Sequence, residues 1–211
     1  QIHGLPERQC GQRQLAELGF IVVQADGMGT NHRGKAFHDV CWKNFKDAGF
    51  PDRIAWIKAA AQKRPWMDLS RVGITGGSAG GGNAMRALLD YNDFYHAAFA
   101  DSGAHDNRMN MIWWNESFMG WPVDESYVRS SNVADAAKLK GHLFLTTGEL
   151  DTNVDPASTM QVVGALQKAG KTFEFMPIVG GGHCAALETD STYGLRMRMD
   201  FFVRRLLHDR N

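Results

Sequence analysis

One string in the chain has residue types that point to nucleophilic chemistry: Gly76-Gly77-Ser78-Ala79-Gly80-Gly81, set between an apolar stretch and a segment of helical spacing. A strand that turns sharply into a helix crowds its own backbone, so glycines are needed where a Cβ would clash. Such a turn lifts the Ser78 hydroxyl above the sheet edge. It also aims the amide of Ala79, at the helix N-terminus, at the place where an oxyanion would form. The structural alternatives are an inert glycine-rich turn and a phosphate cradle. A dinucleotide site needs Gly-x-Gly-x-x-Gly and a P-loop needs its lysine, and this turn has neither.

A serine hydroxyl is a poor nucleophile at neutral pH and needs a base to take its proton. On a strand-turn-helix nucleophile the partners follow in the order serine, acid, histidine. The apolar run His142–Thr147 leads into Gly148-Glu149-Leu150-Asp151, and a carboxylate just past a strand's carboxyl end shares the sheet edge with Ser78. Glu149 and Asp155 are rivals for the role; Asp151 is taken as the acid. The base is His183, which follows Gly180-Gly181-Gly182 after the next expected strand. The other seven histidines fit less well: His3, His32, His38 and His96 come before or apart from the acid loop, His105 lies in an aromatic stretch, His142 in a strand and His208 in the last helix. His32, His38 and Cys41 lack a fourth ligand at a convincing zinc spacing, so neither a metal nor a cofactor is expected.

These side chains need a frame that brings distant loops to one rim. Short apolar runs alternate with amphipathic segments, the pattern of a parallel sheet covered by helices. Strands are expected at Phe20–Ala25, Val72–Thr75, Ala97–Ala100, His142–Thr147 and Thr172–Pro177. Helical stripes recur at Ala84, Ala87, Leu88, Tyr91; at Val162, Ala165, Leu166, Ala169; and at Leu195, Met199, Phe202, Leu206. Pro51 suits the first turn of a helix containing Ile54, Ile57 and Ala61. Residues 102–133 break the alternation with Trp113, Trp114, Phe118 and Trp121, and read either as an insertion lining the site or as a helical layer on the core.

The 211 residues suit one domain spanning 1–211. With 23 basic and 23 acidic side chains, the balance argues against an electrostatic nucleic-acid binder. The apolar runs fall far short of the ~20 residues that cross a bilayer, so no membrane partner is expected. Three cysteines, Cys10, Cys41 and Cys184, are too few and too scattered for a disulfide framework.

The motifs together resemble the catalytic domain of the prolyl oligopeptidase family, closest to its dipeptidyl peptidase IV-like branch. The likeness runs over nearly all of Phe20–Leu207: Asp26-Gly27-Met28-Gly29-Thr30 with Arg33-Gly34, the turn around Ser78, Tyr127–Val133, Gly148–Val154, and Gly182-His183. It implies an α/β-hydrolase fold and a Ser78–His183–Asp151 triad. It also implies a pocket for the residue before the scissile bond, to which Trp114, Asn153 and Val154 carry over. Trp114 reads equally as core, and Asn153 equally as a turn residue bonding its own backbone.

The departures from the family pattern are specific. Dipeptidyl peptidases usually carry an aromatic after the nucleophile, and Ala79 stands there, which opens the pocket mouth. The β-propeller that supplies acidic residues for the substrate's amino terminus is not in this chain. The sheet before Phe20 is expected to be N-terminally shortened, without the segment that gives a second oxyanion donor; His3-Gly4-Leu5-Pro6 as a vestige of that loop is the lesser alternative. The function expected is a serine hydrolase forming an acyl-enzyme, most naturally a peptidase. The alternatives are a stand-alone carboxylesterase on small esters and a catalytically inert hydrolase-like fragment. Expected partners are a peptide or small ester substrate, and a second copy of the chain or an N-terminal propeller domain.

Overall fold

Four short strands form the frame. The computed structural model describes residues 6–47, 49–187 and 192–208. In it β1 (Gly73–Gly77), β2 (Ala97–Asp101), β3 (His142–Gly148) and β4 (Glu174–Ile178) make one sheet in the order β1-β2-β3-β4, each neighbouring pair parallel. The register aligns Gly77 with Asp101, Asp101 with Thr146, and Gly148 with Ile178. All four carboxyl ends therefore open onto one rim, and the loops that leave them meet there.

The α-helices are α1 (Pro6–Glu17), α2 (Lys35–His38), α3 (Phe50–Gln62), α4 (Ala79–Asp90), α5 (Ile112–Met119), α6 (Glu125–Arg129), α7 (Pro156–Lys168) and α8 (Thr192–Phe202), the last running on as a π-helical turn over Val203–His208. Strand alternation sorts the core into two clusters. Ala98, Ala100, Leu143 and Leu145 face Ile54 and Ile57 of α3, Ala84, Met85 and Leu88 of α4, and Val162 and Leu166 of α7. Ala97, Phe99 and Phe144 face Leu15 of α1 and Phe201, Phe202 and Leu206 at the C-terminal end. Helices thus cover both faces, as the sequence pattern predicts.

Burial explains why α4 forms despite Gly80, Gly81 and Gly82 in its first turn, each costing about 1 kcal/mol relative to alanine. Met85, Leu88 and Leu89 are buried farther along it, and each large side chain contributes about 1.5–3 kcal/mol on leaving water. Helix α3 starts where Pro51 fits a first turn, and α7 starts at Pro156 with the Asp155 side chain accepting from the Ala157 amide.

Phe20–Ala25 is a correction. The segment has no regular secondary structure and joins no ladder, and Ile21, Val22 and Val23 are about half exposed. An apolar run reads as a buried strand only when another strand lies beside it, and here its contribution to the core is Phe20, edge-on to Phe202 at 6.4 Å. The alternative of an oxyanion vestige at residues 3–6 falls mostly outside the described residues. Among those described, no helix is long and apolar enough to cross a membrane.

Candidate active site

The β1–α4 turn is tight and strained. Ser78 sits at φ 60, ψ −127, a region that costs a non-glycine residue about 1–3 kcal/mol. The turn is closed from three sides: Ser78 N–H donates to the Asp101 carbonyl at 2.9 Å, and the Ser78 carbonyl accepts from the amides of Gly81, Gly82 and Ala104. Two glycines are required by contact: a Cβ on Gly76 would run into the Gly80 backbone, and one on Gly81 into the Asp101 carbonyl. Ala79 opens helix α4, so its amide is among the first-turn donors that have no partner within the helix.

Asp151 lies just past β3, buried, with its two oxygens divided between backbone amides and the histidine. Its Oδ1 accepts from the amides of Asn153 and Val154 at 2.9 Å each, and its Oδ2 is 2.8 Å from His183 Nδ1. Burial pushes this carboxyl up, but the hydrogen bonds from His183, Val154 and Asn153 outweigh it and hold Asp151 below the ordinary carboxylate value. An ionised Asp151 makes Nδ1 the donor, which leaves Nε2 as the free base. The rival acids have other work: Glu149 accepts from the Gly180 amide, and Asp155 caps α7.

The histidine loop is seated directly on the sheet rim. A Cβ on Gly148 would collide with the Gly182 carbonyl, and one on Gly77 would meet Cys184 Sγ at 2.7 Å, so the residue after His183 packs against the residue before Ser78. The Ser78 hydroxyl and the His183 ring are not hydrogen-bonded to each other. Catalytic hydrogen bonds are commonly loose before substrate arrives and tighten in the complex.

Trp114 is brought to the site, whereas Asn153 and Val154 are used differently. A cavity of about 290 Å³ opens beside Ala79, and Trp114 lines it with Phe45, Phe118, Asn107 and Arg86. Trp114 stacks at a tilt on Phe118 and Phe45, ring centres 5.0 and 5.3 Å away. Asn153 and Val154 lie outside this lining; Val154 is buried, and both serve Asp151 through their amides.

A second buried carboxylate was missed in the sequence. Asp101, at the end of β2, accepts from Thr146 Oγ1 at 2.8 Å and from the Ala186 amide at 3.0 Å; next to it, Ser102 Oγ accepts from the Cys184 amide at 3.1 Å. The pair thus holds the backbone just after His183. Ser78, Ser102 and Cys184 all have positive φ, so the strain is concentrated where the three loops meet. The available signal was a polar Asp-Ser pair ending a strand that is otherwise apolar throughout.

Known proteins share this fold. The crystal structure of Porphyromonas gingivalis dipeptidyl peptidase 4 matches with a TM-score of 0.77 at 29% identity, over 86% of this chain and 26% of that one. Pyrococcus horikoshii acylaminoacyl peptidase matches in fold, with a TM-score of 0.75 at 22% identity over 86% of this chain and 31% of that one. The architecture is the α/β-hydrolase fold. Among curated relatives, human dipeptidyl peptidase 8 is 30% identical over 165 residues, which cover 76% of this chain and 18% of the relative. The probable dipeptidyl-aminopeptidase B of Emericella nidulans is 31% identical over 158 residues, covering 73% and 17%. The chain thus spans under a fifth of the length of these relatives. Residues 10–209 match the prolyl oligopeptidase family, and the chain belongs to that family.

Proposed function

We propose that this chain carries the catalytic centre of a serine peptidase of the dipeptidyl peptidase type, working through an acyl-enzyme on Ser78. The observation that carries the reading is the Asp151–His183 hydrogen bond at the rim where the strained Ser78 turn ends. In the reaction, Ser78 Oγ attacks the carbonyl carbon while its proton moves to His183 Nε2. The Ala79 amide stabilises the oxyanion, and Asp151 stabilises the imidazolium. Collapse breaks the C–N bond, and the proton on Nε2 leaves with the amine. Water then attacks the acyl ester, giving its proton to His183, which returns it to Ser78 Oγ as the acid departs.

Residues 102–133 act as the site-lining insertion of a single 1–211 domain, a reading supported by Trp114, Phe118, Asn107 and Ser130 in the cavity wall. The short span of the relatives covered supports a further domain, a propeller as the family resemblance implies; a second copy of the chain is the alternative partner. Asn153 retains a place in substrate binding through its exposed side chain.

Turnover of a p-nitrophenyl ester and labelling by a fluorophosphonate test the proposal. The unmodified protein is expected to label on Ser78, and Ser78→Ala to lose on the order of 10⁴-fold or more in turnover. Equal turnover by the two proteins overturns it. The missing Ser78–His183 hydrogen bond favours a second reading, an inert hydrolase-like chain. Folded protein that does not label supports that reading.

A further inference from the structure

The cavity beside Ala79 has an aromatic mouth and a cationic, amide-rich floor. Phe45, Trp114 and Phe118 form its apolar wall, while Asn83, Asn107, Asn132, Arg53 and Arg86 supply polar groups; no Asp or Glu is among its lining residues. Arg86 is 1% exposed, and its Nε and Nη2 have no hydrogen-bond partner among the described residues. The Asn107 amide oxygen, also buried, is likewise without one, but as an acceptor it meets a donor and not a carboxylate. Buried groups of this kind destabilise the protein when left without a partner. Such groups are met in folded proteins by a water, an ion or the polar end of a ligand.

The ion pairs beneath the cavity bear on the same nitrogens. Arg86 Nη1 pairs with Asp90 at 3.1 Å and Asp135 at 2.6 Å, and Lys46 and Lys138 lean on the same two carboxylates at 2.7–3.9 Å. Arg86 Nη1 is thus fixed by two carboxylates that the half-exposed Lys46 and Lys138 also neutralise from the solvent side, which leaves the other guanidinium nitrogens as the unpaired ones. Asn132 is already spent, donating to the Gly82 carbonyl and lying 3.1 Å from His105 Nδ1. The buried His105 ring is held neutral, its pKa lowered to about 3 by desolvation and by Arg86, so it adds no charge.

Resting on the acyl-enzyme reading above, we propose that this cavity receives the side chain of the residue before the scissile bond, and that this residue is acidic. Within an unmodified peptide, only Asp and Glu bring an anion to the unpaired guanidinium nitrogens. Ala79 leaves the entrance open where a larger residue would narrow it. Arg86 is then the specificity-determining residue.

The test compares isosteres, so it needs no change to the cavity. Ser78→Ala protein is titrated with Ala-Xaa-Ala peptides in which Xaa is Glu, Gln, Leu or Pro, using calorimetry. In parallel, Ala-Xaa-p-nitroanilides are offered to the unmodified protein. A charge-assisted pair predicts that Glu exceeds Gln by roughly tenfold to a hundredfold in affinity and in kcat/KM. Arg86→Gln, with its fold checked by circular dichroism because Asp90 and Asp135 lose a buried partner, is expected to bring the Glu-to-Gln ratio to about one. Equal Gln and Glu, a preference for Leu or Pro, or no binding of the Glu peptide overturns the inference. Fluorophosphonate labelling of Ser78 reports the hydrolase reading separately: Glu-selective binding without labelling keeps the cavity assignment and removes the catalytic one, and labelling without Glu selectivity does the reverse.

Discussion

Two carboxylates stand at the ends of adjacent strands, Asp101 on β2 and Asp151 after β3, and both reach the same loop. Asp151 faces an imidazole and two amides, and its charge is favoured in place. Asp101 is more deeply enclosed. Burial raises its pKa, and the hydrogen bonds from Thr146, Ala186, Leu187 and Ser102 only partly offset that. The two groups therefore do separate jobs. Asp151 orients the ring of His183 and can stabilise a positive charge on it, whereas Asp101 anchors the backbone that carries the ring. An acid positioned to act and an acid positioned to hold differ here in the partner each meets.

Asp151→Asn gives the sharpest break in that comparison. The amide keeps the shape but favours the wrong histidine tautomer, a change expected to lower kcat by about 10⁴ with the fold intact. Circular dichroism and ester turnover on one preparation check both halves. A variant that keeps its rate would mean that Asp151 is merely another anchor.

Asp101→Asn should act the other way, mainly on stability. Either amide orientation turns an NH₂ toward a donor, Ala186 N–H or Thr146 Oγ–H, and leaving such buried donors unmatched costs about 1–3 kcal/mol. The urea midpoint should fall, while kcat falls far less than in Asp151→Asn. Gly148→Ala moves the same loop without touching either acid, because its Cβ overlaps the Gly182 carbonyl. The loop must then lift by the overlap, at a cost of about 1–3 kcal/mol. If its kinetic defect matches that of Asp101→Asn, both work through loop position; if it matches Asp151→Asn, ring orientation is what the loop height controls.

The contrast also marks where the sequence was readable. Ser78, Asp151 and His183 could be named as candidates because each lies in a loop just past an apolar run, in the order a serine hydrolase uses. Trp114 was legible as an aromatic in an irregular stretch. Asp101 was not, because a single acid ending a strand carries no local sign of which backbone amides it will meet 85 residues later. Asn153 and Val154 were read by motif as pocket residues, and the structure uses their amides on Asp151, a backbone role that side-chain identity does not encode. Phe20–Ala25 has the composition of a strand, but pairing depends on a neighbour outside the segment. Arg86 was hidden on a helix whose pattern reads as core, since only packing shows which turn faces the cavity.

The smallest effect separates the two acids by sign. Asp151 has a folded-state pKa below its ordinary 3.8, so its contribution to stability is present above that value and is lost as pH falls through the lowered one. Asp101 has a folded-state pKa above 3.8, so the native protein holds an extra proton between the two values, and its contribution declines as pH rises through that window. Melting temperatures of wild type, Asp151→Asn and Asp101→Asn, taken from neutral pH down to about 3, should therefore diverge. The wild-type advantage over Asp151→Asn should shrink on acidification, and its advantage over Asp101→Asn should grow. Slopes of the same sign would mean that both carboxylates sit in one kind of environment, and the division between an acting acid and a holding acid would then have to be drawn from kinetics alone.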